Sequence, residues 1–228
     1  MRPLLKWKVG EFNVFEDYKP HNKAKAILKD NFGKEPFFYC SYCDRKLPGI
    51  TIDVEHVLPK GLPKYKHLET KWSNFLLGCK SCNGVKAAKD FNLLDVVLPH
   101  IENTFQCFDF KDDGTVSPNS LLSGNDLFRS QNTINLVGLN IGENHPLRRP
   151  QDDLFAERRE VIAIAKRKLF QYKTGKLDDN DIISMALLCG FWSIWVYIFK
   201  DQSALLDKLI AEFKGTYPEC RTKNIDRL

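Results

Sequence analysis

An α+β fold, with a small metal-clamped unit in front and helices behind, follows from three features of the sequence. Two C-x-x-C pairs, Cys40/Cys43 and Cys79/Cys82, bracket a stretch in which apolar residues alternate as they do in a strand. Beyond residue 125 the apolar positions recur at helical spacing in successive segments. The 228 residues are 43% apolar and 28% charged, without repeats or low-complexity tracts, which excludes disordered and fibrous classes. We therefore expect one unit over residues 1–115 and a mainly helical one over 116–228.

In chain order, Ala24, Ile27, Leu28 and Phe32 share one face and predict a helix over residues 23–32. The run FFYCSYC reads as a strand entering a knuckle turn. In GITIDVEHV, Ile50, Ile52 and Val54 alternate inward with polar residues outward, a half-buried strand with Asp53 and Glu55 near one sheet edge. Residues 60–70, rich in lysine and proline, predict an exposed loop or a frayed short helix. The segment 72–77 returns to the core, and Val85, Ala88, Phe91 and Leu94 predict a helix over 83–94. FQCFDF with its DDG turn predicts a hairpin. Helices are expected over 125–139, 152–172, 182–199 and 203–213. The third of these contains 18 uncharged residues, the lower edge of a bilayer span. Asp178, Asp179, Asp181, Lys200 and Asp201 flank it and Ser184, Gly190 and Ser193 interrupt it, so we expect a buried or partner-covered helix and no membrane association.

The opening residues 1–12 carry charges through a short apolar stretch and lack the apolar core of a signal peptide, so a cytoplasmic chain is expected. Paired cysteines in that compartment point to metal thiolates rather than disulfides. Cys40, Cys43, Cys79 and Cys82 form a set that can close a tetrahedral zinc site with no open position, which staples structure and does no chemistry. Cys107, Cys189 and Cys220 read as plain thiols, the first two buried, and Trp72, Trp192 and Trp195 as core anchors. His67, His100 and His145 have no companion spacing and read as surface or structural residues. The net charge is +8 over residues 1–89 and −3 over 90–228, so any polyanion contact belongs to the first part.

Thirty-five residues separate the two pairs, more than a zinc ribbon needs, and inside that gap stands Asp53-Val54-Glu55-His56. A carboxylate beside a histidine at a strand end offers a hard oxygen ligand and a base that titrates near neutrality. The order of first knuckle, D-x-E-H-x-x-P, Asn74, second knuckle and Asn83 resembles the HNH nucleases of ββα-metal fold that carry a four-cysteine zinc site; the match covers residues 40–86. The resemblance implies that His56 is the general base, that Glu55 and Asn83 hold a catalytic divalent ion, and that Asn74 fixes the loop bearing the base. The family more often has Asp or His where Glu55 stands, and Asn83 replaces the final histidine of its name.

More widely, MRP, YCSYC, VEHVLPK, W-x-NFLLGC-x-x-CN, LPHIENTF and INLVGLN with ENHPLRR resemble the HNH subunit of Septu-type anti-phage systems, which also accompanies some retrons. This implies an SMC-like or ABC-like ATPase partner and a role in phage defence. No G-x-x-x-x-G-K-[ST] loop occurs in the chain, so nucleotide dependence would come from another subunit. The expected chemistry is phosphodiester hydrolysis, with Mg2+ or Mn2+ between Glu55 and Asn83 and water activated by His56. Lys60, Lys80, Lys86 and Lys89 are candidate phosphate contacts, Lys86 one helical turn past Asn83, with Lys64, Lys66 and Lys71 following the backbone. No base-reading motif accompanies them, and DNA is the expected substrate. The alternatives are a non-catalytic zinc-stapled adaptor that binds nucleic acid, and an RNase or tRNA-cutting toxin.

Overall fold

A computed structural model describes residues 1–142, 145–146 and 153–222. Most of the ENHPLRR stretch and Asp152, at the expected start of a helix, lie outside the described residues. The fold is α+β, with small two-stranded sheets and a helical region.

Helix α1 (Ala24–Phe32) buries Ala24, Leu28 and Phe32, the face its spacing predicts. Strands β1 (Phe38–Tyr39) and β2 (Lys46–Leu47) pair antiparallel and carry the first cysteine pair in the turn between them. Strand β3 (Asp53–His56) pairs antiparallel with β4 (Phe75–Gly78), setting Glu55 opposite Leu76 and His56 opposite Phe75; helix α2 (Lys80–Lys86) follows directly. The expected exposed loop after β3 contains a short 3-10 helix, Pro63–Leu68.

Three expectations need correction in this part. Ile50 is 86% exposed, because it sits in a turn closed by Thr51 N–H donating to the Pro48 carbonyl; the strand starts only at Asp53. Glu55 does not face outward. It is 1% exposed, satisfied by a lysine of the helix that follows β4. The helix expected over 83–94 ends at Lys86, where Ala87 turns the chain at φ 44°, and Leu94 is left 59% exposed.

Strands β5 (Phe108–Phe110) and β6 (Val116–Pro118) form the expected hairpin. Helices α3 (Gly124–Val137), α4 (Leu154–Lys173), α5 (Asp179–Cys189), α6 (Trp192–Ile198) and α7 (Ser203–Glu212) follow. The uncharged run is thus two helices, not one. At Gly190 the chain leaves the helix at φ +72° to approach the first knuckle, where an added Cβ would lie 2.7 Å from the Lys46 backbone nitrogen. Phe191 N–H then donates to the Asp44 carbonyl at 2.7 Å. Among the described residues no helix is long and apolar enough to cross a membrane. Trp72, Trp192 and Trp195 are core residues as expected, whereas Cys220 is buried and Cys189 only half-buried, the reverse of the expected order.

The helices dock on the knuckle through polar contacts as well. The Asp44 carboxylate accepts from the Ser193 hydroxyl at 2.6 Å and backbone N–H at 3.3 Å, and from Arg2 N–H at 3.2 Å. Buried Arg2 donates to the carbonyls of Phe32, Phe213 and Lys214 and to the Thr216 hydroxyl, tying α1 to the end of α7. Burial pulls this guanidinium down to about 10, yet it stays charged at neutral pH. One continuous apolar core runs through both parts of the chain.

Candidate metal centre and catalytic site

The four sulfurs of Cys40, Cys43, Cys79 and Cys82 are buried and lie within 4.8 Å of one another, a grouping found nowhere else among the described residues. The Cys43 and Cys79 sulfurs are 3.7 Å apart. A tetrahedral zinc ion bound at about 2.3 Å separates its sulfurs by about 3.8 Å, so the cluster can hold zinc with little adjustment. Backbone N–H groups of Cys79 and Cys82 donate to the sulfurs of Cys40 and Cys79 at 3.3 and 3.4 Å, stabilising the thiolate charge such a site needs. Ser41 N–H donates to the Leu77 carbonyl at 2.8 Å, so the knuckle is seated on β4.

Consecutive residues of a strand point to opposite faces, and β3 therefore divides its two functional side chains. Glu55 faces α2. Its carboxylate meets Lys86 Nζ at 2.9 Å with both side chains 2% exposed, and accepts from the Tyr42 hydroxyl at 3.4 Å. Burial raises the Glu55 carboxyl above its usual range, and the Lys86 ammonium only partly offsets this. Lys86 consequently does not reach out to solvent, and its expected role as a surface phosphate contact is not seen; the carboxylate holds it inside. Gly78 brings β4 close to this face: a Cβ there would lie 2.9 Å from the Cβ of Glu55 and 3.8 Å from that of Asn83. The absence of a side chain at Gly78 thus lets β4 lie close against Glu55, with Asn83 of α2 beside the same position. A carboxylate and an amide oxygen form a hard donor set that fits Mg2+ or Mn2+, with Lys86 as the competing cation.

His56, 8% exposed, faces the other way, its ring edge-on to Phe75. Its Nε2 lies 2.9 Å from the Glu69 carbonyl oxygen, which can only accept; Nε2 therefore carries the proton and Nδ1 the lone pair. Burial, with minor help from His21 and Lys60, lowers its pKa to about 4, below the near-neutral titration expected of it, so the ring is neutral at pH 7. Asn74, 4% exposed, accepts from Leu58 N–H at 2.7 Å and donates to the carbonyls of Leu58 and Leu68 at 2.9 and 3.3 Å. One amide side chain thereby closes both ends of the loop that carries Glu69.

Three neighbours escaped the sequence reading. Tyr42 lies inside the first knuckle, and its reach to Glu55 follows only from the seating of that knuckle on β4. His21 lies in a 3-10 turn, His21–Lys23, and packs its ring 4.8 Å from that of His56. Lys6 reaches the carbonyls of Trp72 and Phe75 from the N-terminal segment. No motif spacing announces any of them. Of the other expected phosphate contacts, Lys60 stands beside His21, and Lys80 and Lys89 are exposed. Lys64, Lys66 and Lys71 pair with Asp90, Glu69 and Asp17.

The β3–β4 hairpin, the helix that follows it and the sulfur cluster that joins them form one frame, and its cluster is able to hold zinc. No family model matches the chain. A protein of Vibrio cholerae serotype O1 biovar El Tor named "Retron Vc95 putative HNH endonuclease" is 24% identical over 140 residues, spanning 58% of this chain and 67% of that protein.

Proposed function

We propose that the chain is a metal-dependent HNH endonuclease that hydrolyses phosphodiester bonds of DNA, acting as the nuclease subunit of an anti-phage complex with an ATPase. The observation that carries this reading is the state of His56. A neutral imidazole whose Nε2–H is committed to the Glu69 carbonyl keeps its Nδ1 lone pair for a water proton, at the strand end beside the loop that Asn74 pins. Glu55 and Asn83 would hold the divalent ion, which neutralises phosphate charge and stabilises the leaving oxygen when bound. The cysteine cluster keeps the knuckle, β4 and α2 in register behind them. Lys60 stands at the edge of this chemistry beside His21, and Lys80 and Lys89 lie outside it, as contacts to flanking phosphates.

The defence setting is supported by the retron in the relative's name. The ATPase partner and the Septu assignment rest on the sequence resemblance, a cytoplasmic location on the charged opening residues, and the division of the chain near residue 115 into a nuclease unit and a partner-binding helical unit on the change there to helical spacing. A second reading, the non-catalytic adaptor, draws on the Glu55–Lys86 pair, which keeps the carboxylate engaged.

Cleavage of plasmid DNA and of RNA by the purified chain with its co-purifying partners, in Mg2+ and in Mn2+, tests the proposal. His56→Ala should lower the rate by about 10² to 10⁴ while leaving the fold intact. Activity of that variant within threefold of the unmodified protein would refute the assignment, and preference for RNA would transfer it to the ribonuclease alternative.

A further inference from the structure

We propose that His21 is a substrate-contacting residue of this site, donating a hydrogen bond from its imidazole to a non-bridging oxygen of the phosphodiester presented to His56, with Lys60 as its cationic companion. The proposal rests on the nuclease reading above and adds to it a residue from outside the motif.

His21 is brought to the base by a clamp. Tyr18 N–H donates to the Thr70 carbonyl at 2.8 Å, and the Asp17 carboxylate accepts from the Thr70 hydroxyl at 2.7 Å and from Lys71 Nζ at 2.9 Å. The segment before His21 is thereby fastened to the same loop whose Glu69 carbonyl orients His56. Beyond it, α1 buries Ala24 and Leu28, so the turn holding His21 is fixed at both ends.

The local chemistry selects an anion. Lys60 Nζ lies 3.5 Å from His21 Nε2; an ammonium only donates, so Nε2 is the acceptor and Nδ1 carries the proton. The mouth thus presents an imidazole N–H and the ammonium groups of Lys60 and Lys66 around one carboxylate, Glu69, which pairs with both lysines at 3.6 and 2.5 Å. That excess of cations and donors suits a phosphodiester oxygen. A metal ion is the poorer occupant, since no third ligand joins the two imidazoles among the described residues. His21 is half-buried, whereas His56 beside it is only 8% exposed, so the more accessible of the two rings is His21.

A packing role predicts something different, and three variants separate the two. In the full-length chain with its partners, His21→Ala and His21→Phe should each lower kcat/KM on DNA by roughly 10- to 100-fold, the effect of losing one hydrogen bond to a charged group. His21→Gln, which keeps a donor, should stay within about fivefold. Melting temperatures measured alongside certify that each variant is folded. If His21→Phe cleaves within threefold of the unmodified protein, the ring merely packs against His56 and the proposal is overturned. An unmodified protein that cuts neither DNA nor RNA overturns the nuclease reading instead, an outcome distinct from an active protein indifferent to position 21.

Discussion

Replacing Lys86 with methionine removes the ammonium from Glu55 and leaves the hydrocarbon packing almost unchanged. In the native protein the two groups meet at 2.9 Å with side chains 2% exposed, so the carboxylate has nowhere to find water. Breaking one partner of a buried pair costs about 3–5 kcal/mol. The carboxyl can limit this loss by taking a proton. At pH 7, protonating a group whose ordinary value is 4.5 costs about 3.4 kcal/mol, which sets the lower end of that range as the expectation. In a chain of 228 residues, each kcal/mol moves the melting temperature by about 2–4 °C, so Lys86→Met should melt roughly 6–14 °C lower. The pH dependence has a definite sign. A carboxyl whose folded pKa is raised binds more protons folded than unfolded, so stability falls as pH rises from 4.5 through the raised value. The deficit of Lys86→Met should therefore shrink at pH 5. Melts monitored by far-UV circular dichroism at pH 5 and 7, without chelator, measure both effects. A shift under 2 °C at pH 7, or a larger deficit at pH 5 than at pH 7, would refute the reasoning. Added Mg2+ should restore part of the loss in Lys86→Met and none in the double variant with Glu55→Gln, because the carboxylate is what receives the dication.

The purified protein should contain one equivalent of zinc by elemental analysis, and Cys79→Ser should lose soluble protein or most of its melting temperature, since the binding energy of such a site is folding energy; a zinc-free, fully stable protein would exclude the structural role. His100 gives a second pH test. Burial lowers its pKa well below 6.5, and its Nδ1 is shut from solvent without a hydrogen-bond partner. A histidine with a depressed folded pKa takes its proton more readily unfolded, so stability is lost as pH falls below 6.5. His100→Gln should flatten the fall in melting temperature between pH 7 and pH 5, and an unchanged slope would assign that fall to other groups.

The parts legible in the sequence are those whose chemistry is written in spacing. The two cysteine pairs predicted a cluster that the fold assembles, and the helical segments after residue 125 recur with shifts of a few residues. The parts that were not legible depend on what another segment presents. Ser184, Gly190 and Ser193 interrupt the run 182–199 without saying which of them breaks the helix; the break falls at Gly190 because β2 and Asp44 offer that glycine a backbone to lie against. Val85, Ala88, Phe91 and Leu94 keep helical spacing, yet α2 stops at Ala87 and Phe91 packs against the core from outside a helix. Glu55 reads as an outward residue until the position of Lys86 is known, and His21 has no pattern at all, because it joins the site through the clamp between residues 17–18 and 70–71.

The division of β3 into two faces makes a demand on any nuclease mechanism. Glu55 and His56 must act on one phosphate, yet alternation sends them to opposite sides of the hairpin, and they can converge only past the end of the strand, where β3 stops at His56. On the proposed reading the base is already set there: the His56 proton is assigned by Glu69, and Asn74 closes the loop that follows the strand. The carboxylate is not, because Lys86 occupies it. Were Glu55 and Asn83 to hold a dication, Lys86 would lose its carboxylate partner, and its ammonium, one helical turn beyond Asn83, would need a new anion. The phosphate is the anion at hand. The buried ion pair and the phosphate contact expected of Lys86 are in that case two states of one residue, and the Mg2+ response of Lys86→Met decides whether the dication reaches Glu55 at all.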